Sequence, residues 1–95
     1  MASPVEPVSR DIEICNERGL HARASAKFVK LANQFESHIP VTKGGQEVCG
    51  TSIMGLLLLA AAKGEIINVS AQGKDANKAL GALTDLVGNR FEEEK

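Results

Sequence analysis

The chain has 95 residues, 43% of them hydrophobic and 24% charged, with a net charge of −1. That length supplies one small domain, in which most of the chain must contribute to a single core. The near-neutral balance, no Trp or Tyr and only three Phe exclude a nucleic-acid surface of basic patches or stacked bases, and no apolar run approaches a membrane span.

Residues 1–8 contain Pro4 and Pro7 and read as a flexible arm. They lack the charged start and apolar stretch of a secretion signal. Cys15 and Cys49 have neither CxxC spacing nor neighbouring His and carboxylate clusters. They therefore read as reduced thiols of a cytoplasmic protein, with no metal site.

Asp11-Ile12-Glu13-Ile14 alternates polar and apolar, as a half-buried strand does. Asn16-Glu17-Arg18-Gly19 is a turn cluster. The apolar period then becomes helical, with Phe28, Leu31, Ala32 and Phe35 on one face and Lys27, Lys30 and Asn33 left for solvent. This helix is expected to run from about His21 to about Asn33. Ile39 and Val41 mark a second strand and Val48 a third, joined by the hairpin turn Lys43-Gly44-Gly45-Gln46. Pro40 cannot donate to a ladder, so its missing N–H faces a gap in the pairing or the strand is shortened there.

Gly50-Thr51-Ser52 leads into Ile53–Ala62, rich in Leu, Met and Ala, which predicts a second, short helix stopped by Lys63-Gly64. Ile67, Val69 and Ala71 alternate in a fourth strand. Asp75 is placed to cap a third helix with the stripe Ala76, Ala79, Leu80, Leu83, Leu86 and Val87. The order β-α-β-β-α-β-α predicts an α+β, two-layer open-faced sandwich: a four-stranded antiparallel sheet with three helices on one face. The expected domain covers 9–90, and the charged tail 91–95 is expected to fray.

His21 stands where loop becomes helix. Unpaired backbone N–H groups and the positive end of the helix dipole converge there. A neutral imidazole in that place can act as a nucleophile, and a phosphoryl group added to it meets the same donors. Arg23, two residues on, offers a planar fork matched to phosphate oxygens. A His-x-Arg pair at a helix start is also compatible with a surface ring beside a solvated charge.

Gly19-Leu20-His21-Ala22-Arg23, followed by Ala26-Lys27-Phe28-Val29, closely resembles the active-site signature of the HPr family. These are histidine-containing phosphocarriers of the bacterial phosphoenolpyruvate-dependent phosphotransferase system. The resemblance runs from about Asp11 to Val87 and includes the Gly-Gly hairpin, the Ser-Ile-Met-Gly segment and the Ala-Gln-Gly-Lys-Asp turn. It implies that His21 accepts a phosphoryl group, usually through Nδ1, from phospho-enzyme I and donates it to a histidine of an enzyme IIA domain. Arg23 would stabilise the group in transit. The resemblance further implies a monomeric carrier of sugar-uptake phosphate, without cofactor, metal or turnover of its own. The chain departs from the family at Ala24, where proline is usual; alanine is an excellent helix residue but leaves the helix start less rigid.

Ser52 reads physically as an N-cap. Thr51-Ser52-Ile53-Met54-Gly55 resembles the segment that HPr kinase/phosphorylase phosphorylates in some bacterial lineages; the resemblance implies regulatory phosphorylation of Ser52, compatible with its role as a cap, with Thr51 as the competing hydroxyl. Four successive leucines cannot all face inward on a short helix. The docking face that the resemblance implies would draw on Ala22, Lys27, Lys30, Ile53, Met54 and Leu57. Two other readings stand beside the carrier. One is a regulatory phosphocarrier of a nitrogen- or carbon-signalling branch without sugar transport. The other is a binding module of the same fold controlled through Ser52. An enzyme built on His38 or a cysteine finds no Ser/Asp/His grouping to support it.

Overall fold

A computed structural model describes residues 6–93. In chain order these form β1 (Val8–Glu13), α1 (Ala22–Ala32), β2 (Ser37–His38), β3 (Pro40–Lys43), β4 (Gln46–Cys49), α2 (Ile53–Leu59), β5 (Ile66–Gly73) and α3 (Ala76–Gly88). The sheet order is β1-β5-β3-β4, with β2 also paired to β5 and every pairing antiparallel. The three helices pack on one face, which makes the open-faced sandwich expected from the element order. The arm expected over 1–8 lies mostly outside the described residues, and Val8 already pairs with Ala71.

The sheet has five strands where four were expected, and Pro40 is the reason. Ser37 and His38 face Gly73 and Gln72 of β5, while Val41 and Thr42 face Val69 and Asn68. These pairs keep one register, so β2 and β3 are two halves of the predicted second strand. The ladder to β5 lapses at Ile39 and Pro40, where a proline has no N–H to give. Ile39 still fills the core, and its carbonyl accepts the Gly50 N–H at 2.6 Å.

The core follows the sequence periods. Ile67, Val69 and Ala71 of β5 are buried together with Val41, Ile12 and Ile14. Against them lie Phe28 and Ala32 of α1, Leu56 and Leu59 of α2, and Ala76, Ala79, Leu80, Leu83 and Val87 of α3. Burial of each large aliphatic or aromatic side chain contributes about 1.5–3 kcal/mol, which is why these stripes decide the packing.

Three local expectations are corrected. The second helix ends at Leu59 rather than continuing to Ala62, because Ala60 turns left-handed (φ 52°) and frees the Ala61 carbonyl for the Leu20 N–H at 2.9 Å. Asp75 precedes α3 but caps nothing; its carboxylate instead accepts the Ser37 hydroxyl at 2.6 Å and the Glu36 N–H at 3.0 Å. The tail does not fray at Phe91, whose ring is buried in the core. Arg90, Phe91 and Glu92 form a single turn with φ of 59°, 54° and 65°. Left-handed backbone costs an L-residue about 1–2 kcal/mol, and burial of the Phe91 ring offsets much of this.

Candidate functional site

The loop before α1 is shaped by a glycine. Gly19 has φ +64°, and a Cβ on it would lie 2.3 Å from the Ala61 carbonyl oxygen. Only glycine tolerates both conditions. Leu20, the next residue, is buried and donates its N–H to that same oxygen. Asn16, also buried, ties the loop from within by donating Nδ2–H to the Gly19 carbonyl at 2.9 Å. Ser25 is buried on the helix side, its hydroxyl donating to the Leu20 carbonyl at 3.2 Å.

His21 is delivered by this loop to the N-cap of α1, with extended backbone (φ −77°, ψ −177°). Its own ring performs the cap: Nδ1 accepts the Arg23 backbone N–H at 3.2 Å. The imidazole thus takes the place usually held by a Ser or Asp oxygen, directly on the helix's unpaired donors. Ala24 is buried at the third helical position.

The other ring nitrogen is engaged as well. Nε2 lies 2.6 Å from Glu93 Oε2, with the two side chains 22% and 16% exposed. The same carboxylate oxygen accepts Asn16 Nδ2–H at 2.9 Å. The hydrogen bond with His21 above all, then that with Asn16, holds the Glu93 carboxyl below its ordinary value, and the nearby positive charge of Arg18 acts in the same direction. The left-handed turn Arg90–Glu92 reverses the chain so that Glu93 reaches the ring.

His21, Arg23 and Arg18 line one open cleft with Lys27, Glu17, Glu92 and Glu93. Most of its charges are already paired. Lys27 Nζ donates to the Phe91 carbonyl at 2.9 Å and meets Glu92 at 3.3 Å; Glu17 meets Lys63 at 2.6 Å. Lys27 is therefore half-buried and tied to the end of the chain, rather than a solvent-facing lysine. The Arg23 guanidinium has no hydrogen bond or ion pair among the described residues. Together with Arg18, which also makes no hydrogen bond or ion pair among the described residues, it is left available to an anion.

Ser52 is the N-cap of α2, its Oγ accepting the Gly55 N–H at 3.0 Å. Thr51 is exposed, its hydroxyl 2.9 Å from Cys49 Sγ. Of the leucine run, Leu56 and Leu59 face the core and Leu57 is half-buried, while Leu58 is 66% exposed. Ile53 and Met54, 41% and 67% exposed, present an apolar surface at the head of α2; Ala22 and Lys30 are exposed on α1. Among the described residues no group of three His, Cys, Asp or Glu side chains is placed to hold a metal ion. No helix among them is long and apolar enough to cross a membrane.

The sequence reading missed Asn16, Ser25, Phe91 and Glu93. Asn16 read only as a turn former, and nothing local marks it as the buried partner of a residue so far along the chain. Phe91 did carry a signal, as a lone aromatic within a run of charges. Glu93 carried none, because its role depends wholly on where Phe91 anchors the chain.

A family model described as "PTS HPr component phosphorylation site" matches residues 8–89. The phosphocarrier protein HPr of Neisseria meningitidis (serogroup A) is 51% identical over 86 residues, covering 90% of this chain and 97% of that protein. The phosphocarrier protein NPr of Shewanella violacea is 38% identical over 86 residues, covering 90% and 94%. Among solved structures, an HPr from Thermoanaerobacter tengcongensis superposes with a TM-score of 0.89 at 42% identity, covering 93% of this chain and 99% of that one. With the same fold and a match over nearly the whole domain, the chain belongs to the HPr family of phosphocarrier proteins of the phosphotransferase system.

Proposed function

We propose that His21 carries the phosphoryl group, receiving it on Nδ1 from phospho-enzyme I and passing it to a histidine on an enzyme IIA domain. The observation that carries this reading is the ring's position as the cap of α1, with Nδ1 facing the Arg23 N–H. A phosphoryl group on Nδ1 would take over that donor and sit at the positive end of the helix dipole. The unpartnered Arg23 guanidinium would bracket its oxygens. One phosphohistidine replaces another, so transfer is close to thermoneutral, and the protein's part is positioning and charge stabilisation. The chain acts as a stoichiometric cytoplasmic carrier, not as an enzyme with its own small-molecule substrate.

Partners dock on the exposed apolar head of α2, Ile53 and Met54 with Leu57 beside them, and on Ala22 and Lys30 of α1. Lys27 contributes there once it is released from Phe91 and Glu92. Ser52 is the regulatory site on this face: a phosphate there places about two negative charges beside the apolar patch and opposes docking of acidic partners. An ATP-dependent, acid-stable phosphate that disappears in Ser52→Ala is the expected mark of the kinase; labelling at Thr51 would reassign the site.

Similarity to the NPr relative favours a second reading, a regulatory phosphocarrier that signals without feeding sugar import. Relative transfer rates to sugar-specific and regulatory IIA acceptors separate the two. The central claim is tested with phosphoenolpyruvate and enzyme I. An acid-labile adduct should map to His21 and be absent in His21→Ala; labelling that survives this substitution overturns the assignment.

A further inference from the structure

The strained end of the domain leads to His21. Three successive non-glycine residues, Arg90 to Glu92, adopt positive φ. Strain of this kind persists where surrounding contacts over-determine it. Two such contacts are the buried Phe91 ring and the Lys27 Nζ bond to the Phe91 carbonyl. Their joint result is to hold Glu93 against His21 Nε2, with Asn16 steadying the carboxylate from the other side.

The two nitrogens of the ring have complementary partners. An ionised carboxylate only accepts, so Nε2 must carry a proton to bond Glu93. A backbone N–H only donates, so Nδ1 must present its lone pair to Arg23. Only the neutral Nε2–H tautomer satisfies both contacts at once. That tautomer leaves the lone pair on Nδ1, the nitrogen that faces the helix donors. The 3.2 Å bond from Arg23 is long and easily yielded to an incoming phosphorus.

We infer that Glu93 is a positioning residue for phosphoryl transfer, fixing the His21 tautomer and sharing the charge that develops on the ring. The inference rests on the reading of His21 as the phosphoryl acceptor. In the step itself, the Nδ1 lone pair forms the new N–P bond. The bond between phosphorus and the donor's ring nitrogen breaks, and its electron pair stays on the donor. The proton on Nε2 does not leave. The ring becomes an imidazolium between the phosphoryl group and the Glu93 carboxylate, which stabilises it as a buried aspartate stabilises a catalytic imidazolium. Return transfer to an acceptor uses the same contact in reverse.

The test begins without phosphate. In uniformly ¹⁵N-labelled protein, the Nε2-bound proton of His21 is expected as a slowly exchanging resonance, shifted downfield, with Nδ1 unprotonated. Glu93→Ala should abolish the protected resonance, and Glu93→Gln should retain a weaker one, because the amide oxygen accepts but carries no charge. Rapid-quench transfer from phospho-enzyme I should slow about tenfold in Glu93→Ala, the scale of one charge-assisted hydrogen bond. It should slow less in Glu93→Gln, with the apparent affinity for the donor unchanged in both. A ring proton equally protected in Glu93→Ala, or transfer that is unchanged or faster, overturns the proposal. If label maps elsewhere than His21 in the unsubstituted protein, the carrier reading fails and the transfer role falls with it. The ring-proton spectra still report the Glu93 contact separately.

Discussion

The heads of α1 and α2 are built alike and equipped differently. Each has a glycine two residues before the cap, pressed against a carbonyl: Gly19 on Ala61 and Gly50 on Ile39. Each cap residue has extended backbone and a side chain that accepts a helix N–H, His21 through Nδ1 and Ser52 through Oγ. The difference lies in what surrounds the cap. His21 has a second polar atom held by Glu93 and a free guanidinium at its side, whereas Ser52 is followed by exposed Ile53 and Met54. A helix head therefore supplies an anion-friendly place in both. The charged cleft around His21 suits repeated transfer, and the apolar patch after Ser52 suits recognition that one added charge can spoil.

The largest expected break in that comparison comes from the two glycines. Gly19→Ala meets a carbonyl oxygen at 2.3 Å while holding a left-handed φ; Gly50→Ala meets one at 2.5 Å, without that backbone strain. Overpacking costs about 1–3 kcal/mol, and the left-handed conformation adds about 1–2 kcal/mol for a residue with a Cβ. Gly19→Ala should therefore lose about 3 kcal/mol in urea denaturation and Gly50→Ala about 2 kcal/mol. Equal losses, or the opposite order, would show that the Gly19 loop is softer than its geometry implies.

The Ser52 cap provides a smaller effect with a cleaner separation. Ser52→Ala removes the bond to Gly55 and should cost about 1 kcal/mol. Ser52→Asp keeps a capping oxygen and should stay within about 0.5 kcal/mol of the parent protein. If the head of α2 is a recognition surface, only the Asp variant weakens productive encounter with enzyme I, seen as a raised KM at unchanged maximal rate. Transfer reduced equally in both variants would make the cap itself, and not the charge, the element that docking requires.

Much of this arrangement was legible from residue spacing, because periods of two and 3.6 report burial directly. The alternation of Ile67, Val69 and Ala71 and the stripe from Ala76 to Val87 placed sheet and helix faces where they lie. Pro40 announced a break, but whether it shortened the strand or split it depended on a register held by β5 from both sides. Asp75 shows the limit at a cap: its local sequence favours one, yet Ser37 and the Glu36 N–H, distant in sequence, outcompete its own helix. His21 and Arg23 could be found because they are neighbours on one helical turn. Glu93 could not, because its contact with His21 depends on long-range burial of Phe91 and a backbone conformation that no residue type there advertises.

That long-range contact supplies the smallest expected effect and the most specific one. The Glu93 carboxyl is held below its ordinary value of 4.5, first by the bond with His21, next by Asn16, with Arg18 adding its charge against the opposing cost of burial. A carboxyl lowered in the folded protein stabilises it above the ordinary value, and the contribution fades as pH falls through the lowered one. Lys27 of α1, bonded to the Phe91 carbonyl and paired with Glu92, keeps that turn anchored meanwhile, so release should be local. Carbon-13 titration of the Glu93 carboxyl should give a midpoint below 4.5. It should move upward in His21→Ala, which removes the larger bond and leaves Asn16. Protection of the Glu93 amide, bonded to the Arg90 carbonyl, should decline over the same acid range, while that of Ala79 in α3 stays constant. A midpoint at the ordinary value, insensitive to His21, would mean that the end of the domain only packs beside the His21 loop. A lowered midpoint that responds to His21 would make the α1 head a three-part device of ring, helix donors and carboxylate, for which the α2 head has no counterpart.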